Sequence, residues 1–216
     1  MYSVEELQKL VNAEIKNRSE NFKKLNPVDL YSPIDYSLEM GGKRLRPVLL
    51  LLSYNLFFDE VLNAVPAALA LEVFHNFTLL HDDIMDKADV RRNQPTVHKK
   101  FSENSAILSG DAMAFLAYKY LLECKSEKLE KVIGLFTKTA IEVCEGQQFD
   151  MDFENRLDVT ASEYLEMIRL KTAVLLACSL KAGALLANST DEVANQLYEF
   201  GSVSYTHLTL PTIYSV

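Results

Sequence analysis

Apolar residues recur at spacings of three and four along most of this chain, which is the period of a helix that buries one face. The first helix carries its apolar stripe on Val4, Leu7, Leu10, Val11 and Ile15. It ends before Asn26-Pro27, because proline cannot continue a helix and restrains the residue before it. Gly41-Gly42 interrupts the helical pattern a second time. The chain therefore begins as helices separated by proline and glycine breaks.

Longer apolar runs follow, and a proline lies near the start of two of them. Pro47 suits the first turn of a helix that we expect to extend to about Phe58, and Pro66 opens a long apolar helix that extends to about Lys87. A polar connection, 89–95, comes next. Further helices are predicted at about 105–124, 126–150, 161–187 and 190–200. Because no repeat, linker or low-complexity segment is visible, we predict that residues 1–201 form one all-α domain, a helical bundle.

Residues 202–216, with the sequence SVSYTHLTLPTIYSV, do not follow the helical period and are rich in Ser, Thr, Tyr and β-branched residues. Two interpretations are open. One is a native C-terminal extension or edge strand. The other, which we favour, is a non-native tail that replaces the natural continuation of the helical domain.

Composition supports a folded, helix-rich domain. Of the 216 residues 49% are hydrophobic and 24% are charged, which argues against disorder. The net charge of -8 gives no support to a nucleic-acid partner, since nucleic-acid-binding domains usually carry a basic stripe. The three cysteines lack metal-binding spacing and are predicted to be buried thiols. No apolar run is long enough to span a membrane and no signal peptide is visible, so we expect a cytoplasmic location.

Acidic residues cluster near the predicted C-terminal end of the long apolar helix, in the segment HDDIMDKAD. Asp82, Asp86 and Asp89 are spaced by four and three residues and would share one helical face with His75, seven residues before Asp82. Stacked carboxylates repel one another, and the helix dipole disfavours negative charge at this end. Bound Mg²⁺ would relieve both effects and would take further ligands from water and phosphate oxygens. The alternative is a solvated acidic helix end.

Basic residues stand in two groups that suit anions. Lys43, Arg44 and Arg46 follow Gly41-Gly42 on a turn that leads into a helix, and such a turn is a good anion site. Arg91-Arg92 comes directly after the acidic cluster. The arrangement fits two diphosphates, one held through metal and one held by cations alone. The alternative is that these are ordinary surface charges on loops.

Taken in order, the motifs GGKRLRP, HDDIMD, VRR, GQQFD and KT resemble the motif series of the trans-isoprenyl diphosphate synthases, the polyprenyl synthetase family. They begin at Gly41, His81, Val90, Gly146 and Lys171. The ordered series is more specific than any single motif, and the resemblance extends from about Ser37 to Gly201. It implies an isoprenoid-synthase-type bundle of the short-chain farnesyl or geranylgeranyl diphosphate type, incomplete at its C-terminus.

The resemblance also implies roles for individual side chains. Asp82 and Asp86 would bind the Mg²⁺ that bridges to an allylic diphosphate (dimethylallyl, geranyl or farnesyl), and Asp83 would support them. The isopentenyl diphosphate site would consist of Lys43, Arg46, His75 and Arg92. The allylic diphosphate site would add Arg91, Lys171, Thr172 and Gln147, with Asp150 as a further metal ligand. Catalysis would depend on Asp82, Asp83, Asp86 and Lys171. For Gln147, Asp150 and Thr172, the alternative is a polar residue that closes a helix end.

The reaction that the resemblance implies is head-to-tail condensation of isopentenyl diphosphate with the allylic diphosphate. Mg²⁺ and the cations would stabilise the charge on the departing diphosphate. The prenyl chain would grow between the helices below the aspartates. Phe77 and Thr78, five and four residues before Asp82, would limit its length in an arrangement similar to the geranylgeranyl type. The alternative is that Phe77 belongs only to the core, and the choice between a farnesyl and a geranylgeranyl product stays open.

One part of the family pattern is missing. A second aspartate-rich motif is expected soon after Glu199-Phe200-Gly201, but residues 202–216 contain no Asp or Glu. We therefore expect a C-terminally truncated synthase domain whose polypeptide is inactive or nearly so. The alternatives are a non-catalytic regulatory subunit of a prenyl synthase, a class I terpene cyclase relative, and an aspartate-rich metal-binding bundle. The glycine and basic turn argues against the last two. A homodimer is expected by resemblance.

Overall fold

The computed structural model describes the backbone of residues 1–213 and the side chains of residues 1–203. Its helices are α1 Val4–Phe22, α2 Val28–Glu39, α3 Leu45–Asn55, α4 Val65–Met85, α5 Val97–Lys100, α6 Glu103–Leu121, α7 Leu129–Phe153, α8 Ala161–Ile168, α9 Val174–Leu186 and α10 Asp191–Ile213. A short 3-10 turn, Leu62–Ala64, precedes α4, and a π-helical turn, Arg169–Ala173, joins α8 to α9. The strands β1 Val90–Arg91 and β2 Gln94–Pro95 form a small antiparallel hairpin. The predicted all-α fold is confirmed.

The chain divides into two compact units, each with its own core. The N-terminal unit contains Tyr2–Val48 and Val65–Cys124, and the C-terminal unit contains Leu49–Ala64 and the chain from Lys125 onward. In the N-terminal unit α4 packs on α6, while α2 packs on α1 and α6. This packing buries Leu7, Val11 and Ile15 of the apolar stripe that the sequence predicts for α1, whereas Val4 is 55% exposed.

Local interactions explain where α1 begins. The Ser3 hydroxyl accepts a hydrogen bond from the Glu6 backbone N–H, and the Glu6 carboxylate accepts one from the Ser3 backbone N–H. This reciprocal capping satisfies two N–H groups that the first turn of a helix leaves without partners. Because of these hydrogen bonds with Ser3, the pKa of Glu6 lies below its ordinary value. Helix α1 is thereby fixed beside the basic turn at 41–46, which it contacts through two polar side chains described below.

The C-terminal unit is built around α9, which is buried along almost its whole length. Helices α7 and α10 both pack on α9. Gly183 lies directly against the backbone carbonyl of Leu50, and the Ser53 hydroxyl donates a 2.6 Å hydrogen bond to the Leu180 carbonyl. A helix that is apolar on all sides needs such neighbours, since it would otherwise expose apolar surface to water.

Four expectations from the sequence differ from the structure. Helix α2 was not among the predicted helices; Pro27 stands at its N-cap and Pro33 lies inside it. The hairpin 90–95 replaces a plain polar connection. Helix α4 ends at Met85, so Asp89 does not share a helical face with Asp82 and Asp86; it pairs instead with Lys99 at 2.8 Å. The fourth difference concerns the end of the chain.

Helix α10 continues past Phe200 to Ile213, so the expected helix end near residue 200 is wrong. The backbone of residues 202–213 is helical in spite of its Ser, Thr and β-branched content. The side chains from 204 onward and the backbone of 214–216 lie outside the described residues. The interpretation of 202–216 as a non-native tail stays a prediction. Apart from these differences in secondary structure, Cys144, predicted to be a buried thiol, is exposed, whereas Cys124 and Cys178 are buried. Among the described residues, the helices are too short or too polar to cross a lipid bilayer.

Candidate diphosphate and metal site

The glycine and basic turn between α2 and α3 is built on left-handed backbone. Gly41 and Gly42 have φ values of 77° and 140°, and Arg44 has a φ of 50°. Glycine adopts such angles without steric cost, whereas arginine does so only when other contacts compensate. The turn leaves Lys43 exposed and Arg46 half-buried, while Arg44 is only 4% exposed. Neighbouring cations of one motif therefore face different surroundings.

Arg44 forms a buried network inside the N-terminal unit. Its guanidinium donates to the Glu72 carboxylate of α4 at 2.6 Å, to the Leu38 carbonyl near the end of α2 at 2.8 Å, and to the Asn12 side-chain oxygen of α1 at 3.0 Å. Glu72 is itself only 2% exposed and also accepts from Asn76. This corrects the sequence interpretation of Lys43, Arg44 and Arg46 as three cations offered to an anion. Arg44 faces the interior, because its charge is matched by a buried carboxylate.

The basic turn lines a concave pocket of about 580 Å³. Its lining includes Gly42, Lys43, Arg46, His75 and Arg92, and also the buried pair Arg44 and Glu72. Arg46 Nη1 lies 3.1 Å from His75 Nε2. Burial, with Arg46 as the next cause, lowers the pKa of His75 well below its ordinary value, so the imidazole is neutral near pH 7 and can accept from Arg46. The structure thus brings together the four residues that the sequence assigned to one diphosphate: Lys43, Arg46, His75 and Arg92.

The acidic cluster lies where α4 ends, and its members differ in burial. Asp83 is 3% exposed, and both of its oxygens accept from Arg91 Nε, at 2.7 and 2.9 Å. The pairing with Asp83 raises the pKa of Arg91 above its ordinary value. Asp82 is half-buried, with one carboxylate oxygen 3.6 Å from Arg91 Nη2, and Asp86 is exposed one turn later. The carboxylates that reach solvent are therefore those of Asp82 and Asp86.

The hairpin after α4 connects the acidic cluster to the basic turn through two consecutive arginines. Arg91 contacts the aspartates, as described above. Arg92 packs its guanidinium against Gly42, where a Cβ atom would lie 2.8 to 2.9 Å from the guanidinium atoms. Burial lowers the pKa of Arg92 from its ordinary value. Positive charge is thereby placed along the path from the aspartates to the basic pocket, within a single unit.

Whether these carboxylates suit Mg²⁺ follows from their number and surroundings. In the part of the chain whose side chains are described, no group of three or more His, Cys, Asp or Glu residues could enclose a metal. Asp82 and Asp86 nevertheless stand one helical turn apart beside solvent. Mg²⁺ is usually held by one or two carboxylates together with waters and substrate phosphates. The pair Asp82 and Asp86 fits that pattern, whereas Asp83 is occupied by Arg91.

The candidate residues of the C-terminal unit gather around the π-helical turn. Lys171 Nζ donates to the Asp150 carboxylate of α7 at 2.6 Å. Gly146 allows the close approach, because any Cβ there would overlap the backbone of Leu170 and Lys171. Thr172 follows Lys171 on the same turn, and Gln147 follows Gly146 on α7; both are half-buried. Single π turns inside helices are frequent at functional sites. Asp150, predicted as a metal ligand, is thus paired with a predicted substrate ligand.

The two residues that the resemblance assigned to chain length lie in the middle of α4. The Phe77 ring packs on Phe74 at a centroid distance of 5.4 Å and on His81 at 4.8 Å. His81 fits against Gly110 of α6 and lies 3.2 Å from the Ile107 carbonyl. Thr78 is half-buried, and its hydroxyl donates to the His75 carbonyl. Phe77 is therefore held by aromatic neighbours rather than loosely placed.

Glu72 and Asn12 were missed by reasoning from the sequence, and Arg44 was assigned to the anion site instead of to the buried network that it forms with them. One signal was present, because Glu72 interrupts the apolar run LALEVF of α4. A charged residue inside a buried helix is rarely found without a partner. No comparable signal in the sequence marks Asn12. Its contact with Arg44 is visible only in the structure, where α1 lies beside the basic turn.

The fold and the site together define a class of protein: an all-helical protein with an acidic helix end and a basic pocket. The sequence model of the family described as polyprenyl synthetase matches residues 27–204. This chain belongs to that family. The resemblance inferred from the ordered motifs is confirmed.

Several relatives show how far the similarity extends. The chain is 46% identical, over 87% of its length, to a geranylgeranyl diphosphate synthase from Methanosarcina mazei, and it covers 61% of that protein. It is 38% identical to a geranylfarnesyl diphosphate synthase from Natronomonas pharaonis, over 92% of this chain and 63% of the relative. A solved geranylgeranyl pyrophosphate synthetase from Geoglobus acetivorans superposes with a TM-score of 0.86 at 40% identity, covering 92% of this chain and 64% of that one. The chain thus spans less than two thirds of the length of these relatives.

Proposed function

We propose that this protein is a Mg²⁺-dependent short-chain trans-prenyltransferase that joins isopentenyl diphosphate to an allylic diphosphate. The observation that carries the proposal is the pair of consecutive arginines on the hairpin. Arg91 contacts the aspartates at the end of α4, and Arg92 packs on Gly42 in the basic turn. A metal-assisted diphosphate site and a cation-only diphosphate site would thus share one wall. The names of the relatives agree with this chemistry.

Isopentenyl diphosphate is proposed to occupy the basic pocket. Lys43, Arg46 and Arg92 supply cationic donors for phosphate oxygens, and arginine does so with two parallel hydrogen bonds. Neutral His75, beside Arg46, adds no charge to the pocket. The pocket thus binds a strongly anionic group without a metal, which separates it chemically from the aspartate side.

The allylic diphosphate is proposed to bind at the aspartates. Asp82 and Asp86 would hold Mg²⁺, which supplies charge stabilisation to the departing diphosphate. Arg91 holds Asp83 and approaches Asp82, so we propose that it fixes the carboxylates and also contacts the diphosphate. Lys171, Thr172 and Gln147 of the C-terminal unit are proposed as further contacts to the diphosphate. Asp150, which accepts a hydrogen bond from Lys171, is proposed as a further metal ligand.

Product length is proposed to depend on Phe77 and Thr78. The aromatic contacts of Phe77 with Phe74 and His81 support a fixed wall at this level of α4. Such a wall would stop a growing prenyl chain at a farnesyl or geranylgeranyl length. The relatives named above make geranylgeranyl and geranylfarnesyl diphosphate, so a geranylgeranyl-type product is the length we propose first. Phe77→Ala should lengthen the product.

Homodimerisation is proposed through the exposed face of α6. Leu108, Phe115 and Leu122 follow one another at intervals of seven residues and are 61%, 75% and 65% exposed. An apolar stripe of this size on a helix surface is typical of a protein interface. We propose a cytoplasmic enzyme, in agreement with three cysteines that carry free thiols. Phe115→Glu should convert a dimer to a monomer in sedimentation experiments.

The 216-residue polypeptide itself is proposed to turn over slowly at best, because residues 202–216 contain no Asp or Glu to form a second carboxylate cluster. Binding therefore tests the function more directly than turnover does. We expect isopentenyl diphosphate to bind without Mg²⁺ in calorimetric titrations, and an allylic thiodiphosphate to bind only with Mg²⁺. Asp82→Asn with Asp86→Asn should abolish the second binding event and leave the first. Metal-independent binding of both ligands would refute the proposed division.

A second experiment measures turnover in a chimera with a relative. Residues 1–201 can be joined to the C-terminal third of the Methanosarcina mazei relative, which is 46% identical where the two overlap. We expect this chimera to convert isopentenyl and allylic diphosphates with Mg²⁺, and the chain alone to remain far slower. A chimera that binds both substrates and still fails to turn over would instead favour a non-catalytic regulatory subunit.

A further inference from the structure

Arg44 is the one residue of the GGKRLRP motif whose side chain joins three other helices. Its guanidinium contacts α1 through Asn12, the carbonyl of Leu38 near the end of α2, and α4 through Glu72. The last carbonyls of a helix lack partners within the helix, and a cation near them is also favoured by the helix dipole. Arg44 thus gives the buried Glu72 carboxylate its opposite charge and the Leu38 carbonyl a hydrogen-bond donor.

The backbone of the turn depends on these contacts. Arg44 has a φ of 50°, in the left-handed region that costs a non-glycine residue free energy. A strained conformation persists only where surrounding contacts enforce it. The same turn is held one residue earlier by Gln8, which donates a 2.7 Å hydrogen bond to the Lys43 carbonyl. Helix α1 therefore contacts two consecutive residues of the turn, the Lys43 carbonyl and the Arg44 side chain.

The consequence concerns the two cations on either side of Arg44. Lys43 and Arg46 both line the basic pocket, and Arg46 is oriented toward His75. Since Lys43 precedes Arg44 directly and Arg46 follows two residues later, the direction of both side chains depends on the backbone at Arg44. A neutral residue in place of Arg44 would lack these contacts, and the backbone of the turn would be free to adopt a negative φ at this position.

We propose that Arg44 is a positioning residue for isopentenyl diphosphate: the buried Arg44–Glu72–Asn12 network fixes the turn so that Lys43 and Arg46 face the same diphosphate. The proposal rests on the assignment of the basic pocket to isopentenyl diphosphate. Arg44 lies in the lining of the same pocket, but we assign it no contact with the substrate, because its side chain is only 3% exposed and its guanidinium donates to Glu72, Leu38 and Asn12. Its role is to convert two flexible cations into a preorganised pair, which lowers the cost of binding.

The test compares variants by their dissociation constant for isopentenyl diphosphate, measured by calorimetry without Mg²⁺. Arg44→Met alone leaves Glu72 buried without its cation and can unfold the chain. The double variant Arg44→Met with Glu72→Met removes both charges, and such replacements are often tolerated. We expect this double variant to keep the helical circular dichroism of the wild type and to bind isopentenyl diphosphate roughly tenfold more weakly.

Two further variants separate positioning from mere stability. Arg44→Lys keeps a charge for Glu72 but cannot form the three-way fork, so its affinity should also fall. Lys43→Ala should reduce the affinity for isopentenyl diphosphate. Adding the double Met change to Lys43→Ala should weaken binding by a smaller factor than adding it to the wild type, because Arg44 then positions one cation instead of two. Arg18→Met removes a distant ion pair with Glu14 and Glu123 and should leave the affinity unchanged.

The outcomes distinguish the assignment of the pocket to isopentenyl diphosphate from the positioning role of Arg44. If the wild type does not bind isopentenyl diphosphate, or if Lys43→Ala and Arg46→Ala bind as well as the wild type, the assignment of the pocket fails. If those two variants bind weakly while the folded double Met variant binds as tightly as the wild type, the pocket assignment stands and the positioning role of Arg44 is overturned.

Discussion

The basic turn and the acidic end of α4 are each held by the ion pair of one buried motif residue, and the charge of that residue is opposite in the two motifs. Each is a short charged motif in which one residue faces the interior and forms an ion pair: Arg44 with Glu72, and Asp83 with Arg91. The flanking residues of each motif remain toward solvent. A string of like charges in a sequence therefore need not be a string of ligands, because one member can serve to hold the others.

The two anchors differ in how deeply they are buried and in what they contact. Arg44 and Glu72 are both almost fully buried, and the network reaches three helices. Arg91 keeps 29% of its side chain exposed and also approaches Asp82. The basic turn is thus fixed by groups that do not meet the substrate, whereas the acidic end is fixed by a residue that we propose also meets it. This difference predicts unequal effects when each anchor is removed.

The largest effect on stability is expected from Arg44→Met. This change strands the Glu72 carboxylate in a buried site, and breaking one side of such a pair costs about 3–5 kcal/mol of unfolding free energy. Urea denaturation followed by circular dichroism measures it. The control is Lys43→Met on the same turn, which is exposed and should change stability by less than about 0.5 kcal/mol. Equal losses for the two variants would contradict the buried role of Arg44.

A smaller loss is expected from Asp83→Asn. The amide keeps the shape of the carboxylate but weakens two charge-assisted hydrogen bonds with Arg91, so about 1–3 kcal/mol should be lost. Arg91 stays partly in water, which limits the penalty. Asp89→Asn is the matched control, since its pair with Lys99 lies at the surface and should contribute about 0.5 kcal/mol or less. An Asp83→Asn variant as stable as this control would show that the acidic end has no internal anchor.

The two glycines of the basic turn offer a comparison one residue apart. Gly41→Ala and Gly42→Ala each force alanine into a positive φ, which should cost about 1–2 kcal/mol of stability. At Gly42 the new methyl group also displaces Arg92, whereas nothing lies within 4 Å of the corresponding position at Gly41. We expect only Gly42→Ala to weaken isopentenyl diphosphate binding, by about tenfold.

Calorimetry on both alanine variants decides this point. If Gly41→Ala weakens binding as much as Gly42→Ala, backbone strain rather than Arg92 controls the affinity. The role proposed for the hairpin as a bridge between the two charged motifs would then lose its support.

The sequence predicted features that depend on neighbouring residues better than features that depend on residues far apart along the chain. The start and end of α1 and the length of α4 follow from local periodicity, capping and proline, and these predictions were nearly right. The end of α4 at Met85 mattered more, because it removed Asp89 from the acidic face. At that end Lys87 adopts a left-handed conformation, with a φ of 53°, and the hairpin that follows has two-residue strands that leave no alternating pattern in the sequence.

The candidate site shows the same limit. The family resemblance implied that Lys43, Arg46, His75 and Arg92 share one site, and the structure places them around one pocket. The inward orientation of the Arg44 side chain could not be predicted, since it requires a left-handed backbone and a carboxylate 28 residues away along the chain. Likewise, the π turn that carries Lys171 lies directly against Gly146 of α7, and no local pattern marks it.

The smallest expected effect distinguishes the basic pocket by its response to pH. Burial, followed by the nearby charges of Arg46, Arg92, Arg91 and Arg44, lowers the pKa of His75 below its ordinary value of 6.5. In the unfolded chain His75 regains that value, so below it the unfolded state binds a proton that the folded state does not. Stability must therefore fall as the pH drops below 6.5, until the pH reaches the lowered pKa of the folded state.

We expect His75→Gln to remove this part of the pH dependence. Between about pH 7.5 and about pH 5.5, the wild type should lose about 1 kcal/mol more stability than the variant. Arg46→Met should shrink the difference without abolishing it, because burial, the larger cause, remains. Urea denaturation at the two pH values measures all three proteins. A wild type and a His75→Gln variant with the same pH dependence would mean that His75 is protonated equally in the folded and unfolded chains, and that the pocket does not hold it neutral beside Arg46.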